Sequence, residues 1–337
     1  GGRRLDMLSL HLRLARASRH SLRVFTKSAA PIAGHQGNRG FASAAVPDLK
    51  HEDMFFKTND NVQLRYTDSG GSGAPLVFLH GWTANGRYFD KNVEFLSKNG
   101  LRVVTMDYRG MGESEHCKHG ARVARIATDV KCLVDHLSLE NAVFCGTSMG
   151  YTVISYYYEL FGTYGLTGAV FVDQTAAQYI KPGWELGSLG LCTREMCADL
   201  QGQLRYNKDE LARGIASGGF GKKPPTEEEY AWFKKQYLKC DLEFCGRLME
   251  DHANLDFRDL IPTMRLPILN LIGGSSKCHQ IAGMTYIGDH APNAKNVIYE
   301  DFGHFLYWED PERFNQDVLR FVQYVDGPDS NPPMKDF

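Results

Sequence analysis

The chain has 337 residues, 43% hydrophobic and 23% charged, with Gly 34 and Pro 13, which excludes disordered, collagenous and extended coiled-coil chains. That length equals about two average domains, yet α/β folds commonly spend as much on one body with an insertion. A formal net charge of -2 offers no global basic field for nucleic acid, and no apolar run approaches the roughly 18 residues needed to span a bilayer.

Charge is concentrated at the start. Residues 1–41 carry a local charge of +7 against -2 for the whole, so the remainder carries -9. Gly1 and Gly2 look like an expression remnant and Met7 like an original start; from there Leu8, Leu10, Leu12 and Leu14 alternate with polar residues. Arg13, Arg16, Arg19 and Arg23 follow with no acid before Asp48, the composition of an organelle transit peptide. Arg39-Gly40-Phe41-Ala42-Ser43 resembles a mitochondrial presequence cleavage site, so the mature protein is expected to begin near Ala42, in the mitochondrial matrix, with plastid or cytoplasm as alternatives. A disordered basic arm or an RNA- or membrane-binding arm are the competing readings.

Strands are expected over 54–57 and 62–66, around the turn signal Asn59-Asp60-Asn61, then over 74–80 and 101–107 with a helix over 88–98 between them. A helix over 121–137, a strand over 141–146, a helix over 149–161 and a strand over 168–173 continue the βα alternation of a parallel sheet covered by helices. Residues 176–260 break the pattern: three helices are expected, over 186–204, 208–217 and 226–251. Tyr179, Trp184, Phe220, Tyr230, Trp232, Phe233 and Phe244 make this stretch aromatic, as suits an apolar pocket or the attachment of a lid. Strands over 267–272 and 296–299 and helices over 281–290 and 311–325 complete the body. The domain reading is therefore a core over 42–175 and 261–325, a helical cap over 176–260 and a flexible tail over 326–337. The eight cysteines form no CxxC pair and no zinc spacing, so reduced thiols are expected.

Gly146-Thr147-Ser148-Met149-Gly150 is a G-x-S-x-G sequence directly after a buried strand and before a helix. Glycines there permit a sharp turn, so that Ser148 projects its hydroxyl above the sheet at a helix N-terminus. His80-Gly81-Trp82 follows the first central strand, Asp107-Tyr108-Arg109-Gly110-Met111-Gly112-Glu113-Ser114 the next, and Gly303-His304 lies after the last. In this order the four motifs resemble the α/β-hydrolase superfamily, from about Met54 to Val325, and within it the capped serine esterases and the cofactor-free haloperoxidase and perhydrolase group. The resemblance implies an α/β-hydrolase fold with an inserted cap, Ser148 as nucleophile, and the Trp82 and Met149 backbone N–H groups as oxyanion hole. His304, on a loop at the sheet's C-terminal edge, is the expected general base.

Many relatives place the acid at the end of the strand over 267–272, but this chain reads Gly273-Gly274-Ser275-Ser276-Lys277. Asp173, one strand earlier, keeps the Ser, acid, His order and is the expected acid; Asp107 precedes the serine, and with Arg109 is expected to hold its own loop. His80, Trp82, His252 and Phe305 are candidate pocket residues. No H-E-x-x-H or comparable metal cluster appears, and no cofactor is expected. The expected reaction is hydrolysis of a small or medium apolar carboxylic ester through an acyl-enzyme, the expected partner a small-molecule acyl substrate. Thioester or lactone cleavage, perhydrolysis and a noncatalytic ligand receptor are the alternatives.

Overall fold

The structure is a computed structural model that describes residues 52–328 and 332–337. The basic arm over 1–41 and its cleavage site lie outside the described residues. Eight strands form one sheet: β1 (Met54–Lys57), β2 (Gln63–Asp68), β3 (Pro75–Leu79), β4 (Arg102–Met106), β5 (Ala142–Thr147), β6 (Leu166–Val172), β7 (Ile268–Gly273) and β8 (Ala294–Tyr299). Their spatial order is β1-β2-β4-β3-β5-β6-β7-β8; β2 is antiparallel to both neighbours and the pairings from β4 to β8 are parallel. The central strands read as unbroken apolar runs because both faces are covered. Val77 and Leu79 join Phe144 and Phe171 in one core, while Leu76 and Phe78 turn to the other side with Val143 and Val170.

Helices α1 (Asp90–Lys98), α2 (Val123–His136) and α3 (Met149–Phe161) alternate with the strands. In α2 the buried residues Val123, Ile126, Val130 and Leu133 recur at helical spacing and turn one stripe to the sheet. The loop after β4 is held from within: Asp107 accepts the Gly86 N–H (2.7 Å) and the Glu113 N–H (2.9 Å). Buried Arg109 forks onto Asp129 (2.6 and 2.7 Å) and onto Asp60 (2.9 Å twice).

Between β6 and β7 lie α4 (Arg194–Tyr206), α5 (Lys208–Gly219), α6 (Glu227–Tyr237) and α7 (Leu242–Asn254). Two expectations change here. The helix expected over 186–204 begins only after Thr193, which caps Met196; before it, the Ser188 N–H donates to the Gln178 carbonyl and the Leu189 N–H to the Cys278 carbonyl, tertiary partners that replace a helical ladder. The helix expected over 226–251 is two: a capping box of Thr226 and Glu229 starts α6, and the Asp241 carboxylate, accepting the Glu243 and Phe244 N–H groups, starts α7. Trp82 ties this insertion to the sheet, its indole N–H donating to the Cys245 carbonyl (2.8 Å), and Phe233 stacks on Phe305.

After β7 come α8 (Ile281–His290), a short α9 (Leu306–Glu309) that the sequence pattern did not predict, and α10 (Pro311–Val325). The end of the chain also differs from the expected flexible tail. Met334 is buried, its N–H donates to Asn293 Oδ1 (2.7 Å), and Asn293 Nδ2 donates to the Pro332 carbonyl (3.1 Å). All eight cysteines are free thiols. Among the described residues no helix is long and apolar enough to cross a membrane.

Candidate active site

β5 ends in Thr147, and the next residue, Ser148, has φ 53° and ψ -121°, a conformation that glycine tolerates and other residues adopt only under strain. The turn is this tight because the helix that follows lies against β3: a Cβ on Gly150 would sit 2.2 Å from the Leu79 carbonyl oxygen. Ser148 thereby stands at the N-terminal end of α3, where the backbone N–H groups of the first turn lack helical acceptors. Met149 supplies the first of them. The His80-Gly81-Trp82 loop runs alongside, so close that a Cβ on Gly81 would lie 3.1 Å from Ser148 Cβ.

Asp173 directly follows the neighbouring strand β6, also at positive φ (50°), and is fully buried. Three donors hold it: the Gly273 N–H to Oδ1 (2.8 Å), and Ser276 Oγ–H (2.8 Å) and His304 Nδ1–H (2.5 Å) to Oδ2. Burial alone would raise its pKa, but the His304 hydrogen bond and charge outweigh burial and hold the carboxyl below its ordinary value. The residues at the end of β7, which contain no acid, thus supply two of the donors that keep Asp173 ionised. His304 is fixed in turn with its proton on Nδ1, leaving Nε2 for the cavity. Burial disfavours the imidazolium, yet the Cys278 sulfur and the Asp173 carboxylate hold His304 well above its ordinary value.

Ser148 and His304 line one cavity of about 340 Å³, floored by the sheet edge and roofed by the insertion, with Leu191, Leu211, Ile215 and Met249 among its apolar walls. Trp82, His252 and Phe305 also line it. His80 does not: it is wholly buried behind the loop, accepting the Tyr108 N–H on Nε2 (3.1 Å) and donating from Nδ1 to the Gly81 carbonyl (2.8 Å). Burial depresses its pKa to about 4, so it serves as a neutral brace. Ser148, in a strained conformation, and His304, held by a buried carboxylate, thus line the same cavity.

Comparison with known proteins agrees with this fold. Residues 74–186 match the family model for the alpha/beta hydrolase fold. The chain has the α/β-hydrolase fold. It is 26% identical over 278 residues to the bifunctional esterase/perhydrolase DCH of Acinetobacter calcoaceticus, covering 80% of this chain and 99% of the relative. It is 24% identical to a non-heme haloperoxidase of Rhodococcus erythropolis, covering 80% and 99%. In structure it is similar to an esterase of Exiguobacterium antarcticum, with TM-score 0.76 at 21% identity, covering 81% of this chain and 100% of the other.

Sequence reasoning missed several residues of the site in this hydrolase. Cys278 lines the cavity with His304, and His279, on the same loop, brings a ring nitrogen within 4.8 Å of ligand-type atoms of Asp173 and His304. In this grouping Asp173 and His304 are hydrogen-bonded beside a neutral histidine; burial takes the His279 pKa down to about 3. Glu309 accepts the Gly303 N–H (2.6 Å) and the Gly221 N–H (2.9 Å), stitching the loop that carries His304 to the insertion. No local spacing announces any of these contacts; the only sequence cue is that Cys278, His279 and Glu309 lie close after the last strands, where loops converge on Ser148.

Proposed function

We propose that this chain is a serine hydrolase that cleaves a carboxylic ester through an acyl-enzyme. The observation that carries the reading is the grouping of Ser148 and His304 on one cavity with His304 held by buried Asp173. His304 Nε2 takes the Ser148 proton, the serine oxygen bonds to the substrate carbonyl carbon, and the Trp82 and Met149 N–H groups stabilise the oxyanion. As the carbonyl re-forms, the alkoxide leaves with the proton from His304. Water, deprotonated by the same His304, attacks the acyl-enzyme and releases the acid and Ser148. A panel of activated short, medium and long acyl esters, thioesters and lactones tests the reading, with intact mass followed for an acyl adduct. Acid release with a transient adduct is expected; ligand-induced stabilisation without turnover or adduct would make the chain a binding protein. Perhydrolysis is a second reading, supported by the relative named as an esterase/perhydrolase; peracid formed when peroxide replaces water on the acyl-enzyme would establish it.

A pH prediction follows from Cys278. His304 must be neutral to accept the serine proton, so kcat/KM rises with pH through its elevated pKa, and the acidic limb lies above the ordinary histidine value of about 6.5. Cys278→Ala removes one of the groups that favour the imidazolium. The limb should move to lower pH, raising activity at pH 6 relative to pH 8; an unmoved profile would remove Cys278 from the titration.

Organelle import is proposed from the acid-poor, arginine-rich start. A mature N-terminus near Ala42, read by mass, is the expected result, and native protein that retains residues 7–41 would overturn it.

A further inference from the structure

One wall of the cavity is polar, and the direction of its hydrogen bonds can be derived. The Thr175 backbone N–H, which can only donate, lies 2.8 Å from Gln174 Oε1 and so fixes that atom as the carbonyl oxygen. The Gln178 atom that meets the same oxygen at 2.7 Å must then be its NH₂. That NH₂ also lies 3.1 Å from His252 Nε2, so Nε2 is the accepting nitrogen. Burial holds His252 neutral, its pKa lowered to about 4, and a neutral ring that accepts on Nε2 carries its proton on Nδ1. Nδ1–H therefore donates to Thr152 Oγ1 (3.2 Å), whose own proton goes to the Met149 carbonyl (2.7 Å). No member of the chain has a second choice. It runs from the polar wall to the first turn of α3, beside Ser148.

This rigid chain leaves one group over. Both acceptor sites of Gln174 Oε1 are taken, and its Nε2 has no partner although Gln174 is only 1% exposed and lines the cavity. A buried amide with two unused donors is costly unless something accepts from it. Two of the polar groups around it are neutral: His252 and His279 are both held uncharged by burial. The anionic Asp173 is adjacent in sequence, and Lys277, at the exposed rim of the cavity, is turned to the Ser217 carbonyl (3.4 Å). An anion bound at Gln174 would find the cation of this cavity, His304, already paired with the Asp173 carboxylate, whereas a neutral carbonyl needs no counter-charge.

We infer that Gln174 is a specificity-determining residue, its Nε2 donating to a second, neutral carbonyl oxygen of the substrate, beyond the ester being cleaved. Gln178 and His252 are positioning residues that hold it. This inference rests on the hydrolase reading and narrows it from plain apolar esters to oxo- or amide-bearing ones. An analogue without the acceptor leaves the donor unpaired, a difference of roughly ten- to a hundredfold in kcat/KM.

The test uses the full chain and matched p-nitrophenyl esters, hexanoyl against 5-oxohexanoyl and pentanoyl against 4-oxopentanoyl, together with acetate esters of pentan-1-ol and of 5-hydroxypentan-2-one. At least one oxo ester should exceed its hydrocarbon partner by tenfold or more. Gln174→Met, which keeps length and removes the donors, should bring that ratio within about threefold of one. The ratio is internal to each protein, so a general loss of activity cancels. If Gln174→Met does not fold, Gln178→Met, which cuts the brace, should lower the same ratio. Hydrocarbon esters cleaved as well as or better than every oxo partner by the wild-type protein would overturn the inference and leave the hydrolase standing, as would an oxo preference untouched in the folded variants. Absence of turnover and of an acyl adduct with every ester would remove the hydrolase reading and this inference with it.

Discussion

Ser148→Ala should fold and lose about 10⁴- to 10⁶-fold in kcat, with no acyl adduct by intact mass. The substitution removes the reacting oxygen while keeping the Cβ, so the packing of Gly81 against this residue, with its Ser148 Cβ neighbour, is unchanged. Backbone strain gives a second, independent readout. Because φ is 53° at a non-glycine residue, Ser148→Gly should be more stable than Ser148→Ala by about 1 kcal/mol, although both are inactive. Higher stability with lost activity is the signature of a residue held in an unfavourable conformation for chemistry. Burst kinetics on an activated ester and thermal unfolding decide the matter together: an undiminished burst in the alanine variant would place the nucleophile elsewhere.

Asp173→Asn should reduce kcat by about 10⁴-fold, as the corresponding change does in serine proteases. Here the reason can be followed atom by atom. All three neighbours of the carboxylate donate to it: the Gly273 N–H, the Ser276 hydroxyl and His304 Nδ1–H. An asparagine must turn its NH₂ toward one side. If it faces Gly273, two donors oppose each other in a buried site, at about 1–3 kcal/mol of stability. If it faces His304, the ring must move its proton to Nε2, the atom needed to accept from Ser148. Either arrangement is unfavourable, so a lowered melting temperature accompanies the lost activity without abolishing the fold. Ser276→Ala removes one of the three donors and leaves His304 in register, so its loss should be less than about tenfold. Near-wild-type kcat/KM in folded Asp173→Asn would reject Asp173 as the acid. The pair of variants also separates the strand that carries the acid from the strand that supports it.

The parts of this protein that the sequence by itself determined are those set by neighbours in the chain. The apolar runs of the central strands, the stripe of α2 and the bounds of α3, α8 and α10 follow from periodicity and from turn residues within a few positions of each other. The sharp turn at Ser148 belongs with them, since the flanking glycines lie two residues away on either side. Where a helix start was chosen by distant partners, the same reasoning went astray. Residues 186–193 looked helical until their backbone donors found the Gln178 and Cys278 carbonyls, and the run over 226–251 divided where the Asp241 N–H met the Gly110 carbonyl. The site divides in the same way. Ser148 was legible from its turn and His304 from its loop. Asp173 could be named as the expected acid only from the resemblance and the Ser, acid, His order, because its links to Ser276 and His304 span 103 and 131 residues. Cys278 beside His304, Glu309 bridging Gly303 and Gly221, and the chain from Gln174 through Gln178 and His252 to Thr152 left no trace in local spacing. A hydrogen bond has a reach of about 3 Å and depends on where backbones converge in space, and that convergence was decided by the packing of β5, β6, β7 and the inserted helices.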